Sequence, residues 1–571
     1  MRTRSLLILG LFLAACSDDA GSDGSGGTGN AGSGGASGST AGGSGGEAGS
    51  SSTGGSGGSS GTGAAGGSAG VGGMAGTSGA GAAAGTGAAG GTGAAAGTGG
   101  AAGTGGAAGT AGTSGTAGTA GSGGCIPTDH PSVGDCTLSD DVAVFVSPGG
   151  SDATGDGTQS KPFKSLNHGL TTAVAAGKRV YACADAGDYS ETLTLDATAH
   201  GAAIYGGFRC SNWTWDDSYH ARIVSGDPTA IHIDGIDGLT LDHLEASSSD
   251  ATSPGGSSIA VWVKDAQHVL IADSIFSAGN GAKGADGTNG LDGAKGEGPT
   301  AAQDGKGWSN GEMGEGGSWP AASSCGSRGG DGGAASPTGY SPGQDGTPNV
   351  NVTPPGIANG SPASEFGVPA DGSPGNDGAH GAKAGYGTLS ALGYQPGEGN
   401  DGTPGFPGQG GGGGLGYQSG SVLGGGAGGM GGCGGKQGTR GKGGGASIGL
   451  TSWDSELTLT RVLLKSATGG AGGKGGFGGV GGDGGKGGRG LTLSYPIGDG
   501  AKGGKGGAAG AGSGGSGGIS LGLAIHGAVP VQNSVTVVVG TGGEAGSGGF
   551  TVGLYYAPDG QTGRALDRLV M

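Results

Sequence analysis

SIGLTSWDSELTLTRVLLKSATGGAGGKGGFGGVGGDGGKGGRG, residues 447–490, is the stretch that decides the fold of this chain. Its first half alternates apolar and polar residues, a period of two that is typical of strands half buried in a sheet. Its second half holds seven Gly-Gly-X triplets, 469–489. Residues 258–277 and 519–539 repeat the strand pattern, and each leads into a glycine tract. Each strand set spans roughly twenty residues, one coil of a β-solenoid. The sequence therefore predicts an all-β fold of stacked coils with extruded glycine-rich loops.

The composition limits how much of the chain can fold around an apolar core. Glycine contributes 160 of the 571 residues, aromatic residues 5% and apolar residues 32%, so much of the chain has no side chains to bury. Acidic residues outnumber basic ones by 44 to 26, a net charge of −18. We expect no nucleic-acid partner, because such proteins present a basic surface. No cofactor is predicted, although the acidic surface leaves Ca²⁺ binding open.

The N-terminus indicates an exported, lipid-anchored protein. Two arginines precede an apolar run, residues 6–13, which suits a signal-peptide core and is too short to span a bilayer. The motif LAAC that follows, ending at Cys16, resembles a bacterial lipobox. The resemblance implies removal of residues 1–15 as a signal peptide and acylation of Cys16, which would anchor the chain stably in a membrane. Ser17 favours the outer membrane or cell surface. An ordinary secretory signal is the alternative.

The rest of the chain divides by composition into four further segments. Residues 16–124 are almost wholly Gly, Ala, Ser and Thr, so we expect a disordered tether with a reach of roughly 55 Å. Within the third segment, residues 304–407 are predicted to be disordered or to form a loosely packed lobe. The predicted boundaries after the tether are 125–278 and 446–571 for the two parts of the β-coil core, 279–445 for a glycine-rich insertion between them, and 469–518 for a glycine-rich loop within the second part.

Six cysteines remain after Cys16 is set aside. An even number in an exported chain predicts disulfides, because that compartment is oxidising. Other pairings are open, but the spacing suggests three local ones: Cys125–Cys136, Cys183–Cys210 and Cys325–Cys433. No Cys-x-x-Cys motif or neighbouring histidine indicates a zinc site.

Two stretches resemble known families. VSPGGSDATGDGTQSKPFKSL, from Val146, is similar to the opening of right-handed parallel β-helix proteins of the pectate-lyase-like type. The resemblance implies a first coil and a short helix, ending near Gly177, that caps the core. The segment from Tyr181 to Trp215 resembles exported β-helix lipoproteins of myxobacteria, in which two cysteines staple adjacent coils. Both resemblances favour a right-handed parallel β-helix.

The glycine tract at 469–490 suggests its own mode of packing. A left-handed extended helix has about three residues per turn, so the X residues of Gly-Gly-X would form one stripe and leave two faces of bare backbone. Neighbouring arms could then exchange N–H···O=C bonds as polyglycine-II-like helices, the first about 70 Å long. Disordered arms are the alternative, because glycine loses the most entropy on ordering. The tract also resembles the repeats of mycobacterial PGRS proteins, a likeness of composition that implies no function.

Candidate site residues follow from the chemistry that pectate-lyase-like proteins perform. A lyase or glycosidase needs converging carboxylates, and the best cluster is near His232 and His243; its members are Asp234, Asp237, Asp242 and Glu245. Ordinary turn chemistry is the alternative for these residues. Trp213 and Trp215, beside the pair Asp216 and Asp217, are candidates for stacking on a sugar.

These features predict a surface-anchored structural or adhesive lipoprotein. Its partners would be the membrane, through the lipid anchor, and a polysaccharide, extracellular matrix or another cell-surface ligand. The alternative is a polysaccharide lyase or glycoside hydrolase of the pectate-lyase-like fold. A groove lined by three or more converging carboxylates and an Arg or Lys would favour the enzyme.

Overall fold

The computed structural model describes residues 126, 128–307, 313–335, 341–348, 368–418, 422–490 and 498–571. The predicted signal peptide, lipidation site, tether and Cys125 lie outside these residues, as do residues 491–497 of the predicted glycine-rich loop. The part of the chain from Thr113 onward is a compact unit, and the fold below is that of its described residues. No helix found among them has the length and apolarity needed to cross a bilayer.

Three parallel sheets form the framework of the described chain. Sheet 1 contains β1 (Ala143–Val146), β2 (Arg179–Cys183), β4 (Ala202–Phe208), β7 (Asp237–Asp242), β10 (Gln267–Ala272), β17 (Leu457–Thr460) and β20 (Val531–Asn533). Sheet 2 contains β3 (Leu193–Leu195), β6 (Thr229–Asp234), β9 (Ser258–Lys264), β16 (Ser447–Trp453), β19 (Ser520–His526) and β22 (Ala565–Val570). Sheet 3 contains β5 (Ala221–Val224), β8 (Leu244–Ser247), β11 (Ile275–Ser277), β18 (Leu463–Lys465) and β21 (Thr536–Val538).

Two small antiparallel strand pairs come between β11 and β16 in the sequence. They are β12 (Thr388–Ser390) with β13 (Gly393–Gln395), and β14 (Tyr417–Gln418) with β15 (Val422–Leu423). Both belong to the glycine-rich insertion.

From β6 onward, apart from these two pairs, the chain visits the three sheets in a fixed rotation, sheet 2, sheet 1, then sheet 3. Strands from distant parts of the sequence therefore become neighbours: Ile448 of β16 pairs with Ile259 of β9 and with Leu521 of β19. Residues of all three sheets share one buried cluster, including Ile231, Leu241 and Phe276. The three repeats of the strand pattern therefore lie side by side in the same sheets, and Ile259, Ile448 and Ile519 also pack together.

One α-helix, α1 (Leu166–Ala176), covers the end of this core near β1 and β2. Ser165 caps its first turn and Gly177, in a left-handed conformation, ends it. Leu166, Leu170 and Ala173 are its buried face and join the cluster shared by the sheets. The helix and its end at Gly177 agree with the sequence prediction.

Glycine tracts leave from one sheet and return to another. The chain departs after β11, β18 and β21 of sheet 3, and it re-enters sheet 2 at β16 and β19. We number the tracts in chain order: tract 1 (279–298), tract 2 (370–385), tract 3 (397–414), tract 4 (424–445), tract 5 (469–490), tract 6 (498–518), tract 7 (540–549) and tract 8 (557–563). The prediction that the glycine runs leave from one position is confirmed for the three departures.

Buried serines fix the chain where it crosses between the sheets and the tracts. The Ser447 hydroxyl donates to the Gly279 carbonyl at 2.7 Å and accepts from the Ala467 amide at 2.8 Å. Ser520, at the paired position of the next strand, donates to the Ala467 carbonyl at 2.7 Å. Each hydroxyl satisfies backbone groups that leave the sheet ladder here, as buried polar groups require.

The tracts are joined by backbone hydrogen bonds at every third residue. Six amides of tract 1, from Gly281 to Gly296, donate to carbonyls between Thr468 and Asp483. Seven amides of tract 5 donate to tract 4, and five amides of tract 4 donate back to tract 1. These three tracts therefore form a closed triangle, in which tracts 1 and 5 run parallel and tract 4 runs antiparallel to both. The predicted exchange of N–H···O=C bonds between arms is present.

Tract 6 lies at the centre of this bundle. Its backbone is hydrogen-bonded to six other tracts, 2, 3, 4, 5, 7 and 8. Contacts are too close for side chains: a Cβ added at Gly481 would lie 1.8 Å from the Gly506 carbonyl oxygen, and one at Gly510 would lie 1.8 Å from that of Ala379. Tract 1, which bonds to tracts 4 and 5, keeps glycine at every third position from Gly281 to Gly296 and exposes Lys283 and Leu291 between them. Tract 1, which has fewer neighbouring tracts than tract 6, thus keeps glycine at only one position in three.

The structure corrects one sequence prediction about the insertion. Within residues 304–407, the described parts of tracts 2 and 3 are bonded into the bundle: Gly375 donates to Lys505, and Gly402 donates to Gly438. They do not form a loosely packed lobe, because their glycines pack as closely against neighbouring backbone as those of the other tracts. Two predicted disulfides are present, Cys183–Cys210 and Cys325–Cys433. Cys136 is disulfide-bonded as well.

Candidate functional site

A cluster of titratable side chains lies where sheet 1 turns into sheet 3. On three successive levels the first residue of this turn is His243 between β7 and β8, Asp273 between β10 and β11, and Arg461 between β17 and β18. All three have positive φ, at 52°, 43° and 53°. Such a conformation costs a side-chain-bearing residue about 1–2 kcal/mol. The parallel ladders on both sides impose it, and they stack the three side chains above one another.

Asp242 and His243 are the buried centre of this corner cluster, which we define as His130, Asp217, His220, Asp242, His243, Asp273 and Arg461. The His243 Nδ1 is hydrogen-bonded to one carboxylate oxygen of Asp242, and the His130 Nε2 lies 3.1 Å from the other. Burial by itself would raise the pKa of the Asp242 carboxyl, but the hydrogen bonds from His130 and His243 outweigh it and lower that pKa to about 2. Asp242 is therefore an ionised, buried hydrogen-bond acceptor.

Two more carboxylates approach the same imidazole region. Asp217 Oδ1 lies 3.9 Å from His243 Nε2. Asp273 accepts two hydrogen bonds of 2.5 Å each from the guanidinium of Arg461. Three carboxylates and one arginine thus approach His243, but the combination expected of an enzyme was a groove lined by such groups, and Asp242 and His243 are buried.

Aromatic rings cover the cluster. The Trp215 and His243 ring centroids are 4.7 Å apart, and His220 stacks on His243 at 5.3 Å. Burial lowers the pKa of His220, and the neighbouring His243 lowers it further. The side chains of Asp242 and His243 are only 7% and 6% exposed. A polymer would have to displace Trp215 or His220 before it reached the dyad.

The cluster fits a bound metal ion poorly. Ligand atoms of Asp242, His243 and Asp273 lie within 4.8 Å of one another. Ca²⁺, however, prefers about six to eight oxygen ligands, whereas Asp242 is already bonded to two imidazoles and Asp273 to Arg461. The arrangement is a hydrogen-bonded acid–base network.

The four carboxylates predicted from the sequence are distributed over three sheets. Asp234 lies at the end of β6 and its carboxylate is 3.3 Å from the Lys264 ammonium. Asp237 begins β7 and accepts from His268 at 2.7 Å, and Glu245 of β8 pairs with Arg222 at 3.7 Å. Only Asp242 joins the corner cluster. The others have separate partners.

The two tryptophans proposed for sugar stacking are packed against other rings. Trp213 is 5% exposed, lies 4.7 Å from Phe145 and donates its ring N–H to the Gln159 carbonyl. Trp215 lies between His130 and His243. Trp213 therefore presents no ring face to solvent, whereas Trp215 is partly exposed.

A groove on the glycine bundle was missed from the sequence. It has a volume of about 920 Å³ and lies along tract 5, between tract 1 and the segment from tract 7 to tract 8. Phe477 and Tyr556 line it and are 52% and 73% exposed. The polar groups that line it are Asp286, Asn289, Lys474, Ser547 and Asp559.

Backbone bonds hold the walls of this groove in place. Asp286 and Asn289 of tract 1 accept hydrogen bonds from the amides of Lys474 and Phe477, at 2.8 and 2.9 Å. On the opposite wall, Asp559 accepts from the Gly548 amide at 2.8 Å. The aromatic and polar side chains are therefore set at fixed positions along an otherwise bare backbone.

Comparisons with known proteins supply no relative: no family model, no curated protein and no solved structure matches this chain.

Proposed function

We propose that this chain is a surface-anchored structural or adhesive lipoprotein that displays a rigid bundle of glycine tracts on a parallel β-helix. The observation that carries the proposal is the order of the tracts: amides at every third residue bond to neighbouring tracts, while Lys474, Phe477 and other X residues of tract 5 are exposed. A rigid scaffold that buries its glycines and exposes its X residues can present these side chains to a large partner.

The fixed rotation of strands through three parallel sheets supports a β-helix. Each circuit of the chain contributes one strand to each sheet, and the shared core cluster fills the space between them. We infer the right-handed form, because parallel crossover connections take that hand. In such a solenoid each coil stacks on the one before it.

The spacing of bonds in the tracts supports polyglycine-II-like helices. Bonds at every third residue match a helix of about three residues per turn. None of the glycines in tract 5 is among the residues with positive φ, which favours the left-handed helix. At about 3.1 Å per residue, tract 5 would be a rod of roughly 70 Å.

The predicted lipid anchor at Cys16 would place this scaffold on the membrane, and residues 16–124 would separate the two as a flexible tether. We propose export to the outer membrane or cell surface, with a glycan, extracellular matrix or another cell as the partner.

Cells that produce the full chain test this role against cells that lack it and against cells with Cys16→Ala. We expect acyl labelling of the wild-type chain only, and stronger adhesion to matrix-coated surfaces by wild-type cells. Equal adhesion by all three strains, with the wild-type chain at the surface, would falsify the adhesive role.

A carbohydrate-active enzyme is the second candidate, and the convergence of Asp217, Asp242, Asp273 and Arg461 on His243 favours it. Paired acid and base groups of this kind cleave glycosidic bonds. Incubation of the full chain with acidic and neutral polysaccharides would yield shortened products, and His243→Gln would abolish them. Intact polysaccharides after prolonged incubation would exclude the tested substrates.

A further inference from the structure

We propose that the groove along tract 5 binds a neutral, extended polysaccharide chain, with Phe477 and Tyr556 as the stacking residues. This inference rests on the proposed adhesive function and names the ligand class and its site. It starts from two exposed rings, those of Phe477 and Tyr556, that line the same groove.

The groove combines aromatic and polar groups in the manner of a sugar site. A pyranose has an apolar face of C–H groups and an equatorial rim of hydroxyls, so it stacks on a ring while its rim forms hydrogen bonds. Phe477 and Tyr556 supply rings, and Asn289, Lys474, Ser547 and Asp559 supply donors and acceptors around them. Phe550 packs against Tyr556, with ring centroids 4.9 Å apart, and supports its position.

The charges lining the groove balance, which favours a neutral ligand. Lys283 pairs with Asp286 at 2.8 Å, so Lys474 and Asp559 are the remaining charged groups of the lining and have opposite signs. An acidic polysaccharide would need an excess of cations, and the chain as a whole has a net charge of −18.

The shape of the groove favours an extended chain over a compact ligand. Its floor is tract 5, where Lys474 and Phe477 of the lining lie three residues apart and the next X residue, Val480, is partly exposed. In a three-residue helix this spacing is roughly 9 Å along one straight line. A linear glycan could lie along this line and meet a side chain at a regular interval.

Backbone order makes the site rigid before binding. The amides of Lys474, Phe477 and Val480 are bonded to Asp286, Asn289 and Asp292 of tract 1, between 2.8 and 2.9 Å. A ligand therefore does not have to order a flexible segment, which would reduce its affinity.

Affinity electrophoresis of the full-length chain tests the assignment, with hydroxyethyl cellulose as a soluble neutral β-glucan and polygalacturonate as an acidic glycan. We expect retardation by the glucan. Phe477→Ala and Tyr556→Ala should each weaken it by about tenfold, as expected for anchor residues. Tyr555→Ala is the matched control, because Tyr555 is 90% exposed, adjacent in sequence and outside the groove lining.

Phe477→Tyr keeps the ring and should keep binding, which separates the role of the ring from a change in tract 5. Adhesion of cells displaying the chain is measured in parallel. Equal glucan binding by all variants, preference for polygalacturonate, or adhesion without glucan binding overturns the groove assignment and leaves the adhesive function standing. Adhesion no stronger than that of cells without the chain overturns both.

Discussion

In the parallel sheets, Ile231, Leu241 and Phe276 fill the space between backbones, whereas in the glycine bundle a Cβ at Gly481 would lie 1.8 Å from a neighbouring carbonyl oxygen. The sheets gain stability from burial of apolar side chains, about 1.5–3 kcal/mol for each large one. The tracts bury almost none and depend on backbone hydrogen bonds, which contribute about 0.5–1.5 kcal/mol each.

This difference explains why the tracts form a bundle. Ordering a residue costs about 1–2 kcal/mol, and glycine costs the most. A tract with one neighbour would use one amide in three, which cannot offset that cost. Tract 6 bonds to six tracts, so nearly every residue contributes. The sheets can add one strand at a time, while the bundle requires many tracts at once.

Truncation of a core side chain should have the largest effect and should act on the sheets. Leu459 of β17 is fully buried, and Leu459→Ala should lower the free energy of unfolding by about 2–5 kcal/mol because it leaves a cavity. Denaturant unfolding measures the change. Val531→Ala on the paired strand β20 is the control, since Val531 is 58% exposed. A similar loss in both variants would contradict a side-chain-packed core.

Loss of the Cys325–Cys433 disulfide should act on the bundle. It links two residues that are 108 positions apart in sequence. Replacement of both cysteines by serine should lower the free energy of unfolding by about 2–4 kcal/mol, because the unfolded chain gains entropy. Hydrogen exchange should accelerate in tract 4. The Cys183–Cys210 pair, with a separation of 27, is the control and should leave tract 4 unchanged. Unaltered exchange in both variants would show that the bundle does not need the bridge.

Acid should weaken the sheet region through Asp242. The folded-state pKa of Asp242, about 2, lies below the ordinary value of 3.8. Its contribution, about 2 kcal/mol, is therefore complete above pH 4 and is lost as pH falls towards 2. Asp242→Asn should remove this part of the pH dependence, measured by thermal unfolding between pH 5 and pH 2. Asp234→Asn, at an exposed ion pair, should retain it.

A methyl group inside the bundle should have a smaller but informative effect. A Cβ added at Gly432 of tract 4 would lie 1.9 Å from the Gly482 carbonyl oxygen of tract 5. Gly432→Ala should cost about 1–3 kcal/mol through overpacking.

Hydrogen exchange of tracts 4 and 5 measures this local separation. Lys486→Ala, at an exposed X position of tract 5, is the control and should be neutral within about 0.5 kcal/mol. If Gly432→Ala exchanged as slowly as Lys486→Ala, close backbone packing of the tracts would be wrong.

The smallest effect concerns the side chains of tract 1 that accept hydrogen bonds from amides of tract 5. Asp292 accepts the Val480 amide at 2.9 Å, and Asp292→Ala should cost about 1 kcal/mol, the net value of one hydrogen bond. The Val480 amide should exchange faster. Leu291→Ala, its neighbour with 73% exposure, should leave that amide unchanged, and equal rates in the two variants would assign Asp292 no capping role.

The fold was more predictable than the site, for a physical reason. Strand alternation near Ile448, the end of α1 at Gly177 and the glycine spacing are local signals, so they could be interpreted in short windows. The corner cluster brings Asp273 and Arg461 together across a separation of 188 residues, and the groove joins Phe477 to Tyr556. Both depend on the number of residues in each glycine-rich segment between one strand set and the next. No local sequence pattern shows which strands this length will make neighbours.

Along tracts 1 and 5 the hydrogen-bonded partners keep a constant separation in sequence, 188 residues for Asp286, Asn289 and Asp292. Beyond the end of tract 1 the separation is 185 residues, for Asp304 with Arg489. The change is one triplet. A single inserted residue would rotate every later side chain of a tract into its neighbours, so the lengths of these excursions can grow or shrink only in whole turns, much as a coding sequence tolerates insertions only in multiples of three.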